Sequence, residues 1–171
     1  MSSSDKNLSD FGDKLIPDAS GFSFGIVCAE WNENITTALY DGCLETLLKN
    51  GAQQNNIFSI RVPGTFELPV GAKMLAQTHK LDAVICIGCV IKGETSHNEY
   101  INLSVANALQ QMSVVSGKPF IFGVLTPNDM QQALDRAGGI HGNKGDEAAV
   151  TAIKMAALKK SLSEPEKKIG F

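Results

Sequence analysis

Four short apolar runs, each followed by a segment of helical periodicity, constrain this chain more than any other feature. The runs are 22–30 (FSFGIVCAE), 56–62 (NIFSIRV), 81–91 (LDAVICIGCVI) and 119–125 (PFIFGVL). Runs of this length with little polar alternation predict strands covered on both faces. After the first, Ile35, Leu39, Cys43, Leu44, Leu47 and Leu48 recur at helical spacing, with Asn32 as the expected N-cap and Gly51 as the stop. PGTFELPVGAKMLAQT is expected to open with a turn and continue as a second helix, Pro69 falling where a first turn tolerates proline. After GETSHNEY a long third helix should run to about Ser116. A fourth is expected in NDMQQALDRAGG, capped by Asn128 and stopped by Gly138, and a fifth in GNKGDEAAVTAIKMAALKKSL.

The order β-α-β-α-β-α-β-α-α implies a parallel sheet, because strands joined by a helical crossover run the same way and the crossover is right-handed. The fold class expected is α/β: a flavodoxin-like three-layer sandwich with a four-stranded parallel sheet and helices on both faces. Residues 21–162 read as one domain, which 171 residues are long enough to give a core. Residues 1–20, polar and punctuated by Pro17, read as a flexible or docking arm, and 163–171 as a frayed tail.

Charge and punctuation narrow the function classes. A net charge of −3 with scattered basic residues argues against a nucleic-acid partner. No apolar run approaches the roughly 18 residues of a membrane span. The N-terminus lacks the apolar core of a secretory signal, so a cytoplasmic location is expected, with Cys28, Cys43, Cys86 and Cys89 as free thiols. Cys86 and Cys89 form a C-x-x-C inside a strand, and their spacing sends the two thiols to opposite faces. That argues against a redox pair, and no second C-x-x-C completes a zinc site. No G-x-G-x-x-G or G-x-S-x-G occurs, and GGIHGNKG fails the P-loop pattern at the residue after Lys144.

In parallel α/β sheets ligands sit beyond the carboxyl ends of the strands, so the segments that follow the strands carry the chemistry. The first contains Trp31, the chain's single tryptophan. It reads either as a packing residue or as a platform for a flat heteroaromatic ring. Such stacking contributes about 0.5–1.5 kcal/mol beyond area burial. The second contains Glu67, which suits a helix dipole or, alternatively, the hydroxyls of a sugar alcohol. The third, GCVIKGETSHNEY, is the richest. Gly93 to Thr95 lead into a helix N-terminus, whose free N–H groups form an anion site. His97 stands in the first turn of that helix, beside the anion site, where an imidazole suits proton shuttling. Beyond the fourth strand, Arg136 either complements a helix C-terminus or clamps a phosphate as a rigid fork.

Taken together, EWNENI, VPGTFELP, GCVIKGETSHNEYI, PFIFGVLT and RAGGIHGNKG resemble the lumazine synthases in order and spacing, from Phe22 to Leu162. The resemblance implies an enzyme of riboflavin biosynthesis. It would condense 5-amino-6-ribitylamino-uracil with 3,4-dihydroxy-2-butanone 4-phosphate, giving 6,7-dimethyl-8-ribityllumazine, phosphate and water. It implies that Trp31 stacks on the pyrimidine and that Thr65, Phe66 and Glu67 meet the ribityl chain. Val90 and Ile91 would meet the ring's polar edge, Gly93, Glu94 and Thr95 would form the phosphate loop, and His97 would transfer protons. Phe122, Arg136 and Lys144 would come from an adjacent subunit of a pentamer, twelve of which form a shell in some members. No metal or cofactor is implied, and small molecules are the only partners besides further copies of the chain. The sequence departs at Ile140, where some members carry lysine. Two rival readings stand beside it: a flavodoxin-like carrier of flavin or nucleotide, which the strand–helix order permits, and a shell or scaffold protein that has lost catalysis, against which the intact His97, Glu67 and Arg136 set argues.

Overall fold

The computed structural model describes residues 15–163. The elements run β1 (Phe24–Ala29), α1 (Glu33–Lys49), β2 (Ile57–Val62), α2 (Leu68–Thr78), β3 (Ala83–Cys89), α3 (His97–Ser116), β4 (Phe120–Leu125), α4 (Met130–Asp135), β5 (Ala137–Gly139), β6 (Gly142–Asn143) and α5 (Lys144–Ser163). Single 3-10 turns, Gln54–Asn56 and Thr65–Glu67, precede β2 and α2. The main sheet is parallel, in the order β2-β1-β3-β4. This is the expected α/β three-layer arrangement.

The strand order dictates which helix covers which face. The chain steps from β1 to β2 in one direction, then reverses to reach β3 and β4. Right-handed crossovers running in opposite directions place their helices on opposite faces. Accordingly Ile35, Leu39, Cys43 and Leu47 of α1 pack with Ala149, Ala152 and Ile153 of α5 against Ile26, Ile85 and Ile87. On the other face Leu68, Ala72 and Leu75 of α2 and Val105 and Leu109 of α3 cover Val27, Val84 and Cys86. Each fully buried aliphatic side chain contributes about 1.5–3 kcal/mol, which explains why β1 and β3, buried along their whole length, hold the centre.

α1 and α5 approach closely because their contact is built from small residues. At Gly145 a Cβ would lie 1.8 Å from the carbonyl oxygen of Leu39. The thiols behave as the strand period requires: Cys86 joins one core and Cys89 the other. Burial pushes the Cys89 thiol up to about 11 and raises Cys86 as well. The thiolate that redox chemistry needs is thus disfavoured at both positions.

Three expectations are corrected. The cap of α4 is Asp129, whose carboxylate accepts from the N–H of Gln132; Asn128 instead donates to the Gln132 side chain. The fourth helix stops at Asp135 rather than reaching Gly138, and β5 and β6 then form a short antiparallel hairpin absent from the expected order. Asn32 occupies the N-cap position of α1 but makes no side-chain cap. Of the expected arm, residues 1–14 lie outside the described residues, as do 164–171 of the tail. In the described part, Ala19 is buried and donates to the carbonyl of Asn50, and Ile16 packs on the core. Among the described residues no helix is long and apolar enough to cross a membrane.

Candidate active site

A cleft of about 780 Å³ opens at the carboxyl edge of the sheet, where β1 and β3 lie side by side. This is the point at which the strand order reverses, the usual ligand position in such sheets. Two sets of backbone hydrogen bonds form its walls. On one side Glu30 and Trp31 donate to the carbonyls of Val62 and Pro63, tying the exit of β1 to that of β2. On the other, Val90 and Lys92 donate to Leu125 and Pro127, tying the exit of β3 to that of β4.

The first wall carries Trp31, which is 73% exposed. Among the described residues little packs on it, and the indole edges the cleft as an exposed apolar plate. Beyond β2 the turn Thr65–Glu67 contributes Thr65, Phe66 and Glu67. Thr65 is 5% exposed, and its hydroxyl has no hydrogen-bond partner among the described residues. It sits this deep because β3 carries glycine beneath it: a Cβ on Gly88 would come within 2.7 Å of the Thr65 Oγ1. A buried hydroxyl without a partner costs about 1–3 kcal/mol, so the site gains by offering it a polar ligand group.

The second wall is formed by Val90, Ile91, Gly93, Thr95 and His97. His97 lines the cleft as the first residue of α3, whose opening N–H groups have no partner within the helix. That end of α3 attracts anions through its dipole. Glu94 does not line the cleft.

Several lining residues were not expected at the site: Asn32, read from the sequence only as a helix cap, and Asn98, Tyr100 and Ile101. Ile101 stands four residues after His97 and three after Asn98, helical spacings that could have found it. The Asn98 Oδ1 is buried and unpartnered, like the Thr65 hydroxyl.

Phe122, Arg136 and Lys144 lie elsewhere. Phe122, on β4, lines a separate groove between α3 and α5. The Arg136 guanidinium donates to the carbonyl of His141 (2.7 Å) and to one oxygen of Glu147, and Lys144 Nζ takes the other oxygen (3.1 Å). Within one chain the cleft therefore holds Trp31, Glu67 and His97, but not these cations. Ile140, at the hairpin, is exposed.

Comparison with known proteins gives this geometry its context. The family model described as 6,7-dimethyl-8-ribityllumazine synthase matches residues 21–160. A Cytophaga hutchinsonii protein of that name is 55% identical over 157 residues, covering 92% of this chain and 98% of its own. One from Parabacteroides distasonis is 52% identical, covering 91% and 97%. A third, from Phocaeicola vulgatus, is 45% identical, covering 97% and 99%.

Proposed function

The chain belongs to the 6,7-dimethyl-8-ribityllumazine synthase family, and from that premise we propose how its cleft performs the synthase reaction of riboflavin biosynthesis. The substrates are 5-amino-6-ribitylamino-uracil and 3,4-dihydroxy-2-butanone 4-phosphate. The amine attacks the ketone carbonyl, and water leaves to give an imine. Phosphate departs by elimination. The enol left by that elimination tautomerises to a new carbonyl at C3 of the former ketose, the ribityl-bearing nitrogen closes the ring on it, and a second water leaves. Every step is an addition, an elimination or a tautomerisation, so no external oxidant or reductant enters the balance.

The observation that carries this reading is convergence: Trp31, Glu67 and His97, from the segments after three different strands, line one cleft. Trp31 stacks on the pyrimidine. Thr65 and Glu67 bind the ribityl hydroxyls, with Phe66 beside them. Val90 and Ile91 present backbone groups to the ring's polar edge. Gly93 and Thr95 hold the phosphate at the start of α3, with Glu94 in the same loop. His97 moves protons between the amine and the departing oxygen. The cleft lies within the range of about 300–1,000 Å³ typical of small-molecule sites. Amines and ketones condense readily, so holding both reactants in contact supplies most of the acceleration, up to about 7–11 kcal/mol.

An adjacent copy completes the site with Phe122, Arg136 and Lys144. The exposed apolar side chains Val70, Met74, Leu103, Val114 and Val115 support self-association. The assembly proposed is a pentamer; light scattering distinguishes it from a shell of twelve pentamers. The four cysteines, all free and buried, support the cytoplasmic location we propose.

One assay tests the reading. The two substrates are mixed with protein, and lumazine absorbance, green fluorescence and released phosphate are followed. One phosphate per lumazine is expected. Protein that binds the pyrimidine but releases no phosphate overturns the reading.

A further inference from the structure

We infer that Asn32 is a positioning residue for this reaction: a brace that sets the width of the cleft and aims Trp31 across it. The inference rests on the reading above and adds to it a residue first taken for an ordinary helix cap.

The brace follows from how the sheet ends. β1 and β3 pair as far as Cys28 and Ile87. Beyond that point the exit of β1 follows β2 and the exit of β3 follows β4, through the backbone bonds that form the two walls. The carboxyl edge of the sheet thus parts into two halves, and the cleft occupies the gap. The side chain of Asn32 spans it: Nδ2 donates to the carbonyl of Cys89 at 2.9 Å, across 57 residues of sequence, in a partly buried position. The nitrogen must face Cys89, because the amide oxygen there would confront another oxygen.

The backbone is arranged to permit this. Asn32 has φ +60° and ψ +48°, the one positive φ outside glycine among the described residues. Its carbonyl accepts from the N–H groups of Ile35 and Thr36, as an N-cap carbonyl should. An ordinary cap would keep an extended backbone and turn its side chain onto the helix's own N–H groups. The left-handed conformation, which asparagine tolerates better than most residues, directs the carboxamide to another strand instead. Trp31 is then held from both sides, by its own N–H on Pro63 and by its neighbour's brace on Cys89. The exposed indole has little packing to orient it, so its backbone must.

The test uses the full-length protein and its two substrates. Asn32→Gly keeps the left-handed backbone and removes the carboxamide. The KM for the pyrimidine amine should rise about tenfold, as expected for one lost hydrogen bond, while that for the ketose phosphate stays within about twofold. Backbone amides of 29–36 and 88–92 should exchange with deuterium faster, without a collapse of the melting temperature. Kinetics and exchange equal to wild type would overturn the inference. So would a parallel rise in both KM values with a large fall in melting temperature, since that marks a purely structural residue. If the glycine variant does not fold, Asn32→Asp carries the same test, because its carboxylate cannot donate to Cys89. If wild-type protein forms no lumazine, the functional reading fails, and the exchange comparison still decides the brace.

Discussion

Arg136 and Glu147 are joined across the hairpin between α4 and α5, and the same carboxylate binds Lys144 through its second oxygen. The guanidinium is further anchored by the carbonyl of His141. Both cations are thus oriented before any substrate arrives, on a surface away from their own chain's cleft.

Arg136→Ala should therefore raise the KM for the ketose phosphate about 10- to 100-fold and that for the pyrimidine far less, because a charge-assisted contact to phosphate is lost. Steady-state kinetics with each substrate varied in turn is the check. Equal effects on both would remove the assigned phosphate role.

His97→Ala should lower turnover about ten- to a thousandfold without abolishing it. The cleft still holds both reactants together, and orientation supplies most of the acceleration. Single-turnover formation of lumazine by folded variant measures this, and complete loss would refute the proximity account.

Gly145→Ala should cost about 3 kcal/mol or more, because its Cβ would meet the Leu39 carbonyl at 1.8 Å and drive α1 from α5. The melting temperature should fall by about 6–12 °C. At Gly21, where nothing lies within 4 Å of a Cβ, the same change should stay within about 0.5 kcal/mol. Similar losses at both sites would contradict the close-packing explanation.

Asp146 gives a pH prediction. Burial, only partly offset by a hydrogen bond from Thr46, raises its carboxyl above the ordinary 3.8. The folded state then holds the proton more tightly than the unfolded chain. The stability this group contributes is complete below 3.8 and is lost as pH rises through the folded value. Asp146→Asn removes that titration and keeps an acceptor for Thr46. The variant's melting temperature should gain on wild type as pH rises from about 4 to 7, by at most about 2 °C because solvent screens the partly exposed group. An advantage that shrinks with pH would reverse the sign argued here.

Much of the fold was legible in the chain because strand and helix periods are local properties. The runs around Ile26 and Ile85 announced buried strands, and the Cys86–Cys89 spacing announced opposite faces; both hold. The hairpin Ala137–Asn143 was missed because its strands are two or three residues long, too short to show a period. Asn128 lost the cap to Asp129 because two capping residues stood side by side, and only the approach of the chain to α4 chose between them.

Sequence alone determined the four main strands and the helices that follow them, and placed Trp31, Glu67 and His97 in segments that follow strands. Tertiary structure decided that these segments meet, because the order β2-β1-β3-β4 sets the exits of β1 and β3 side by side. It also decided that Asn32 reaches Cys89 rather than its own helix, and that Arg136 turns to Glu147. Periodicity follows from neighbours a few residues away, whereas the direction of a crossover and the partner of a side chain depend on residues far along the chain.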